Sequence, residues 1–201
     1  MDKEKAKQLR SVSVFCGSSS GRDHVFRSEA WELGRKLAAN HIELVYGGAK
    51  VGLMGAVADG ALSESGKVIG VLPVFLKSKE IAHEGLTELI LVDTLHERKT
   101  KMNELSDGVI ALPGGFGTLE EFFEMLTWGQ LGLHKKPMGI LNLDGYYDEL
   151  VHFLDKMVEK GFLKPVNRSM VLLSNDIDDL LVKLKNYKAP EVGKWIREEN
   201  L

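Results

Sequence analysis

Short apolar runs rich in β-branched residues alternate along this chain with longer stretches whose apolar positions recur at helical spacing. Ser11–Cys16, Ile42–Tyr46, Val68–Leu72, Leu89–Val92, Val109–Leu112, Met138–Leu141 and Val171–Leu173 read as strands. Val25–Asn40, Leu53–Ser65, Leu95–Leu105, Thr118–Leu131, Tyr147–Lys160 and Ile177–Asn186 read as helices. Trp31, Leu33, Leu37 and Ala38 fall near one face of the first helix. Pro73 stops the third strand and Pro113 ends the fifth.

Strands that are apolar on both faces and separated by helices predict a parallel sheet covered on both sides. Right-handed crossovers then give an α/β, Rossmann-like, doubly wound parallel β-sheet in a single domain. That domain is expected over 11–188, after an N-terminal extension 1–10 and before a C-terminal tail 189–201. Phe75–Gly85 has no clear periodicity and is expected to form a loop over the site. Asp144-Gly145-Tyr146-Tyr147 reads as a turn and helix start. The stretch Phe122–Leu133 is apolar on more than one face. Such a helix packs on the sheet and also on a second subunit, so the expected assembly is a homodimer.

Composition narrows the classes of function. Of 201 residues, 44% are hydrophobic and 27% charged, ordinary values for a globular protein. A net charge of −3 gives no footprint for nucleic acid or for an anionic membrane. Cys16 is the single cysteine, so no intrachain disulfide forms, and it reads as a small core residue. Met1–Arg10 is charged throughout, unlike a signal peptide, and no apolar run approaches the roughly 20 residues of a membrane helix. The expected location is the cytoplasm. The six histidines lack metal-ligand spacing, and neither a metal nor another cofactor is expected.

The candidate chemistry lies in three glycine-bearing turns that follow strands. They are Gly17-Ser18-Ser19-Ser20-Gly21, Gly47-Gly48-Ala49-Lys50-Val51-Gly52, and Pro113-Gly114-Gly115-Phe116-Gly117-Thr118. All three are expected at one edge of the sheet. Gly17, Ser18, Gly48, Lys99, Pro113, Gly114, Gly115, Gly117 and Thr118 are the candidate phosphate- and nucleotide-binding residues. Glycines let backbone N–H groups approach an anion, and the helix that follows the third turn adds its positive end. A tight strand-to-helix connection explains any one such turn equally well. His96-Glu97-Arg98-Lys99 supplies Arg98 as a planar fork for oxygens and Lys99 as a point charge, or else forms an exposed charged helix face. Glu121 is open to two readings. Thr118-Leu119-Glu120-Glu121 has the spacing of a capping box, in which Glu121 only caps its helix. Alternatively, its carboxylate stabilises a developing ribosyl oxocarbenium ion or orients the attacking water. Glu120 and Glu124 are expected to serve the helix dipole and solvent.

These residues resemble the Lonely Guy family, cytokinin riboside 5′-monophosphate phosphoribohydrolases long labelled possible lysine decarboxylases. Pro113–Glu121 matches the motif PGGxGTxxE, and the likeness extends through Val45–Gly55, His96–Lys99, Leu126–Pro137 and Asn142–Tyr147. Two positions depart from the usual pattern: Ala49, where many members have glycine, and Leu95, where many have methionine. The resemblance implies hydrolysis of the N-glycosidic bond of AMP or an N6-modified AMP, giving free base and ribose 5-phosphate. It implies that Arg98 and Glu121 are the catalytic pair, that Gly114, Gly115, Gly117 and Thr118 cradle the phosphate, and that the chain forms a homodimer. The competing class is a non-catalytic nucleotide or molybdopterin carrier with a similar PGG turn. Lysine decarboxylation finds no support, because no lysine is marked as a buried, activated amine.

Overall fold

In the computed structural model, seven strands lie side by side in one parallel sheet. They are β1 (Ser11–Phe15), β2 (Glu43–Tyr46), β3 (Val68–Pro73), β4 (Glu88–Val92), β5 (Gly108–Ala111), β6 (Met138–Leu141) and β7 (Val171–Ser174). The helices are α1 (His24–Ala39), α2 (Gly52–Ser63), α3 (Leu95–Leu105), α4 (Phe116–Gln130), α5 (Asp148–Glu159), α6 (Pro165–Arg168) and α7 (Ile177–Lys185). The structure describes residues 9–77 and 82–191. Most of the expected N-terminal extension and C-terminal tail, and part of the expected 75–85 loop, lie outside the described residues. The α/β reading holds, with boundaries shifted by one or two residues. The four-residue α6 is too short to leave a periodic trace.

The strand order is β4-β3-β2-β1-β5-β6-β7. Each connection moves the chain outward from β1 to β4, then the chain returns to start β5 on the other side of β1. Val14 of β1 therefore pairs with Tyr46 on one side and Ile110 on the other. Crossovers on the two halves leave in opposite directions, so the strand ends of β1 and β5 open a crevice at their carboxyl side. β1 and β5 are buried at every position, which explains their unbroken apolar runs. The edge strand β4 leaves Glu88 and Leu91 exposed.

Two helical layers cover the sheet. Residues of α1, α2 and α7 share one core with one face, including Leu33, Leu37, Val57, Leu180 and Leu184. Residues of α3, α4 and α5 share the other, including Met102, Phe122, Met125 and Leu154. The first layer is tight because α1 and α2 meet backbone to backbone. A Cβ at Gly34 would stand 2.0 Å from the Val57 carbonyl oxygen and 2.7 Å from the Ala61 nitrogen.

That contact yields a prediction. In an isolated helix, Gly34→Ala would stabilise by about 1 kcal/mol. Here the added methyl meets backbone that cannot rotate away, so overpacking wins and the net cost is about 2 kcal/mol. Urea unfolding should show a lower midpoint at unchanged slope; an equal or higher midpoint would contradict the packing argument.

Candidate active site

The crevice at the β1/β5 divide is a cleft of about 270 Å³ lined by Cys16, Gly17, Ser18, Gly47, Met54, Arg98, Gly115, Phe116, Gly117, Thr118 and Glu121. The three turns do meet at one edge of the sheet, and backbone bonds join them. Gly17 N–H donates to the Pro113 carbonyl at 3.0 Å, and the Gly17 carbonyl accepts from Leu53 N–H, also at 3.0 Å. The first turn is thereby tied both to the turn after β5 and to the start of α2.

The turn after β5 presents its glycines to the cleft. Cβ atoms built at Gly115 and Gly117 would meet nothing within 4 Å, so this side is open to a ligand. Gly114 has another task. A Cβ there would lie 2.1 Å from Thr118 Oγ1, so its bareness lets the buried Thr118 fold under the turn. Gly115 is the N-cap of α4, and no side chain caps this end. The first N–H groups of α4 therefore face the cleft without a capping side chain, which suits an anion.

Arg98 and Glu121 converge from α3 and α4. Arg98 Nη1 stands 3.6 Å from Glu121 Oε1, and the side chains are only 9% and 15% exposed. Arg98 Nε donates to the Val71 carbonyl at 3.1 Å and Nη2 to the Gly47 carbonyl at 3.3 Å. Two backbone carbonyls thus fix the plane of the guanidinium and leave Nη1 turned toward Glu121. Gly47 makes room for this, since a Cβ there would lie 2.0 Å from Nη2. The φ angle of Gly47 is not positive, so space alone demands glycine at this position.

Helix α4 starts at Phe116, so Thr118 and Glu121 sit inside the helix rather than at its cap. The capping-box reading of Glu121 fails on this register. The box that does exist in this region belongs to α3. Thr94 Oγ1 accepts from Glu97 N–H at 3.1 Å, and Glu97 Oε2 accepts from Thr94 N–H at 3.2 Å. Glu97 therefore anchors the helix that carries Arg98. The sequence signal, Thr94-Leu95-His96-Glu97, has the right spacing but is hidden inside the charged run.

Several other expectations need correction. Lys99 is not among the residues that line the cleft. Its ammonium is held by Glu120 and, at 2.9 Å, by Glu124, which clamps α3 to α4. Glu120 and Glu124 accordingly serve Lys99 and not only dipole and solvent. Gly48 also lies away from the cleft lining. Its φ of +83° turns the chain, and a Cβ would press on Leu72 and Leu89 at 3.2 Å. Pro113 and Gly114 act through their backbone rather than by facing the cleft. Above the second turn, Ala82 bridges Ala49 and His83 N–H donates to the Gly48 carbonyl.

Among the described residues that line the cleft, Arg98 and Glu121 carry the charge. Burial, and next the carboxylate of Glu121, push the Cys16 thiol far up, while Arg98 acts in the opposite sense. Cys16 is therefore a neutral thiol on the cleft wall and a poor nucleophile. Burial pulls the Lys99 ammonium down, but its bonds to Glu120 and Glu124 outweigh that and hold it above the usual lysine range. An amine held this way is fully protonated and unsuited to Schiff-base chemistry.

Comparisons with known proteins show the family. The family described as "Possible lysine decarboxylase" matches residues 54–184. A protein of Oryza sativa subsp. japonica named "Probable cytokinin riboside 5′-monophosphate phosphoribohydrolase LOGL9" is 48% identical over 180 residues, 90% of this chain and 79% of the rice protein. "Cytokinin riboside 5′-monophosphate phosphoribohydrolase LOG1" of Arabidopsis thaliana is 44% identical over 197 residues, 96% of this chain and 92% of its own. Among solved structures, the molybdenum cofactor binding protein from Rippkaea orientalis superposes with a TM-score of 0.67 at 24% identity, covering 89% of this chain and 97% of that one. At that identity the likeness shows the fold alone. The sequence relatives reach further, and by them this chain belongs to the Lonely Guy family, the group named for cytokinin riboside 5′-monophosphate phosphoribohydrolase and also described as possible lysine decarboxylases.

Proposed function

We propose that this protein hydrolyses the N-glycosidic bond of a purine nucleoside 5′-monophosphate, AMP or its N6-modified forms, to free base and ribose 5-phosphate. The observation that carries the reading is the Arg98–Glu121 pair, 3.6 Å apart and nearly buried beside the open turn Gly115–Thr118. The names of the relatives support the same activity. The carrier alternative rests on shared fold alone.

In this reading the 5′-phosphate sits against the first N–H groups of α4, near Gly17 and Ser18. Arg98 directs Nη1 to ribose or phosphate oxygens and holds negative charge as the bond breaks. Glu121 stabilises the positive charge that develops at C1′ and accepts a proton from the attacking water. Water oxygen bonds to C1′, the bond from C1′ to the base nitrogen breaks, the base leaves carrying a proton taken from solvent, and Glu121 returns the water's proton to solvent. The family's decarboxylase label describes no activity of this site, because Lys99 is held protonated by two carboxylates.

The chain is further inferred to act as a homodimer in the cytoplasm. Leu119, Phe123, Leu126 and Trp128 of α4 are only partly buried, which leaves an apolar surface for a second copy. Among the described residues no helix is long and apolar enough to cross a membrane. The free thiol of Cys16 on the cleft wall suits a reducing compartment.

Glu121→Gln should lower kcat for AMP by about 100-fold or more. Because Glu121 also faces the nearly buried Arg98, the variant's melting temperature is measured alongside, and the kinetic loss is read under conditions where the variant is fully folded. Arg98→Ala should lose activity to a similar extent. Retention of near-parental turnover in either variant would remove that residue from its role, and chromatography for free adenine is the measurement. Gly47→Ala tests the positioning of Arg98 without touching its charge. The added methyl must displace the guanidinium, and a shift of that kind should cost roughly 10- to 100-fold in kcat/KM; parental kinetics would show that Arg98 needs no such room. Light scattering on a sizing column should give a particle of two 22.3-kDa chains, and a monomer at micromolar concentration would overturn the dimer.

A further inference from the structure

The turn Asn142–Tyr147 has no part in the reaction described above, yet it reaches directly into the glycine turn after β5. The Tyr146 hydroxyl donates to the Gly114 carbonyl at 2.7 Å, and the Tyr147 hydroxyl donates to the Leu112 carbonyl at the same distance. Backbone and ring contacts place both tyrosines, Tyr147 buried and Tyr146 half exposed, with Tyr146 N–H donating to the Leu143 carbonyl at 3.0 Å. Asn142 Oδ1 accepts from Tyr147 N–H at 2.7 Å, and Asn142 Nδ2 donates to Asp148 Oδ1 at 2.7 Å. The Tyr146 ring stands edge-on to Phe26 and Tyr147, with centroids 5.8 and 4.8 Å away.

The bond to Gly114 has a consequence for charge recognition. In a planar trans peptide the C=O and the following N–H point in opposite directions. Holding the Gly114 carbonyl toward Tyr146 therefore aims the Gly115 N–H the other way. Gly115 lines the cleft and Tyr146 does not, so the donor is aimed at the ligand side. The peptide between two glycines inverts with little steric resistance. Inverted, it would place a carbonyl oxygen where an anion must bind and withdraw the donor.

We propose that Tyr146 is a positioning residue that sets the polarity of the phosphate turn, keeping the Gly114–Gly115 peptide with its N–H toward the substrate phosphate. The inference rests on the functional reading above only in taking phosphate as the group bound there. Tyr147 makes a bond of equal length, but the residue after Leu112 is Pro113, which has no N–H to aim. The two hydroxyls are alike in chemistry and differ in what they orient.

Tyr146→Phe keeps the ring and its edge contacts and removes only the hydroxyl. Calorimetry with ribose 5-phosphate as the probe should give a dissociation constant roughly 5- to 10-fold higher than for the parent. In steady-state assays with AMP the loss should fall more on KM than on kcat, and adenosine, which lacks the phosphate, should bind as it does to the parent. Tyr147→Phe should lower the melting temperature and leave the ribose 5-phosphate affinity within about two-fold. An unchanged affinity in Tyr146→Phe overturns the proposal. Equal weakening in both variants also overturns it, since the effect is then a general loosening of the turn. A parent protein that binds ribose 5-phosphate but releases no base from any nucleotide would count against the hydrolase reading alone.

Discussion

The amide of Gly17 donates to the Pro113 carbonyl, and the Gly17 carbonyl accepts from Leu53 N–H. The first bond crosses the line where strand order reverses between β1 and β5, and the second ties the same turn to the β2 side. A parallel sheet wound in two directions must part its chain ends there, since successive crossovers carry the chain away on either side. Left unbridged, the turns would splay and their N–H groups would point to separate places. A single glycine backbone joins the turn after β5 and the start of α2. Ser18, Gly115 and Thr118 then face one small cleft.

Within that frame the demanding element is a nearly buried cation. A guanidinium withdrawn from water must be compensated on several sides. Arg98 meets the Val71 and Gly47 carbonyls and the Glu121 carboxylate, one from β3, one from the turn after β2 and one from α4. The placement of α3 is secured independently, at its start by the Thr94–Glu97 box and along its length by Lys99 between Glu120 and Glu124. Of the five charges in His96–Lys99 and Glu120–Glu121, Arg98 and Glu121 face the cleft and Glu97, Lys99 and Glu120 hold the scaffold.

Much of this was legible in the chain itself. Apolar runs on both faces gave the strands because both helical layers bury them, and the glycine turns were recognisable because each follows a strand. Arg98 and Glu121 were found by motif and do meet. What misled was register and direction. The spacing from Thr118 to Glu121 fits a capping box, but α4 begins two residues earlier because Gly115 takes the cap position. Lys99 neighbours Arg98 in sequence, yet one step along a helix turns a side chain by about 100°, enough to send it to α4 instead of the cleft. Gly48 looked like its neighbour Gly47 but answers to a positive φ. The hydroxyls of Tyr146 and Tyr147 carry no local signal, since their partners are backbone atoms 32 and 35 residues away.

The pairing of Arg98 with Glu121 also bears on how a ligand arrives. The two charges cancel within the cleft, and the chain as a whole carries a net charge of −3. A nucleotide, itself an anion, is therefore not drawn in from a distance; attraction begins only at contact range, from the exposed N–H groups at the start of α4. Added salt screens the long-range repulsion and leaves that short-range capture largely intact. Encounter with this protein should accordingly be tolerant of ionic strength, a property that follows from a cleft balanced in charge before anything binds.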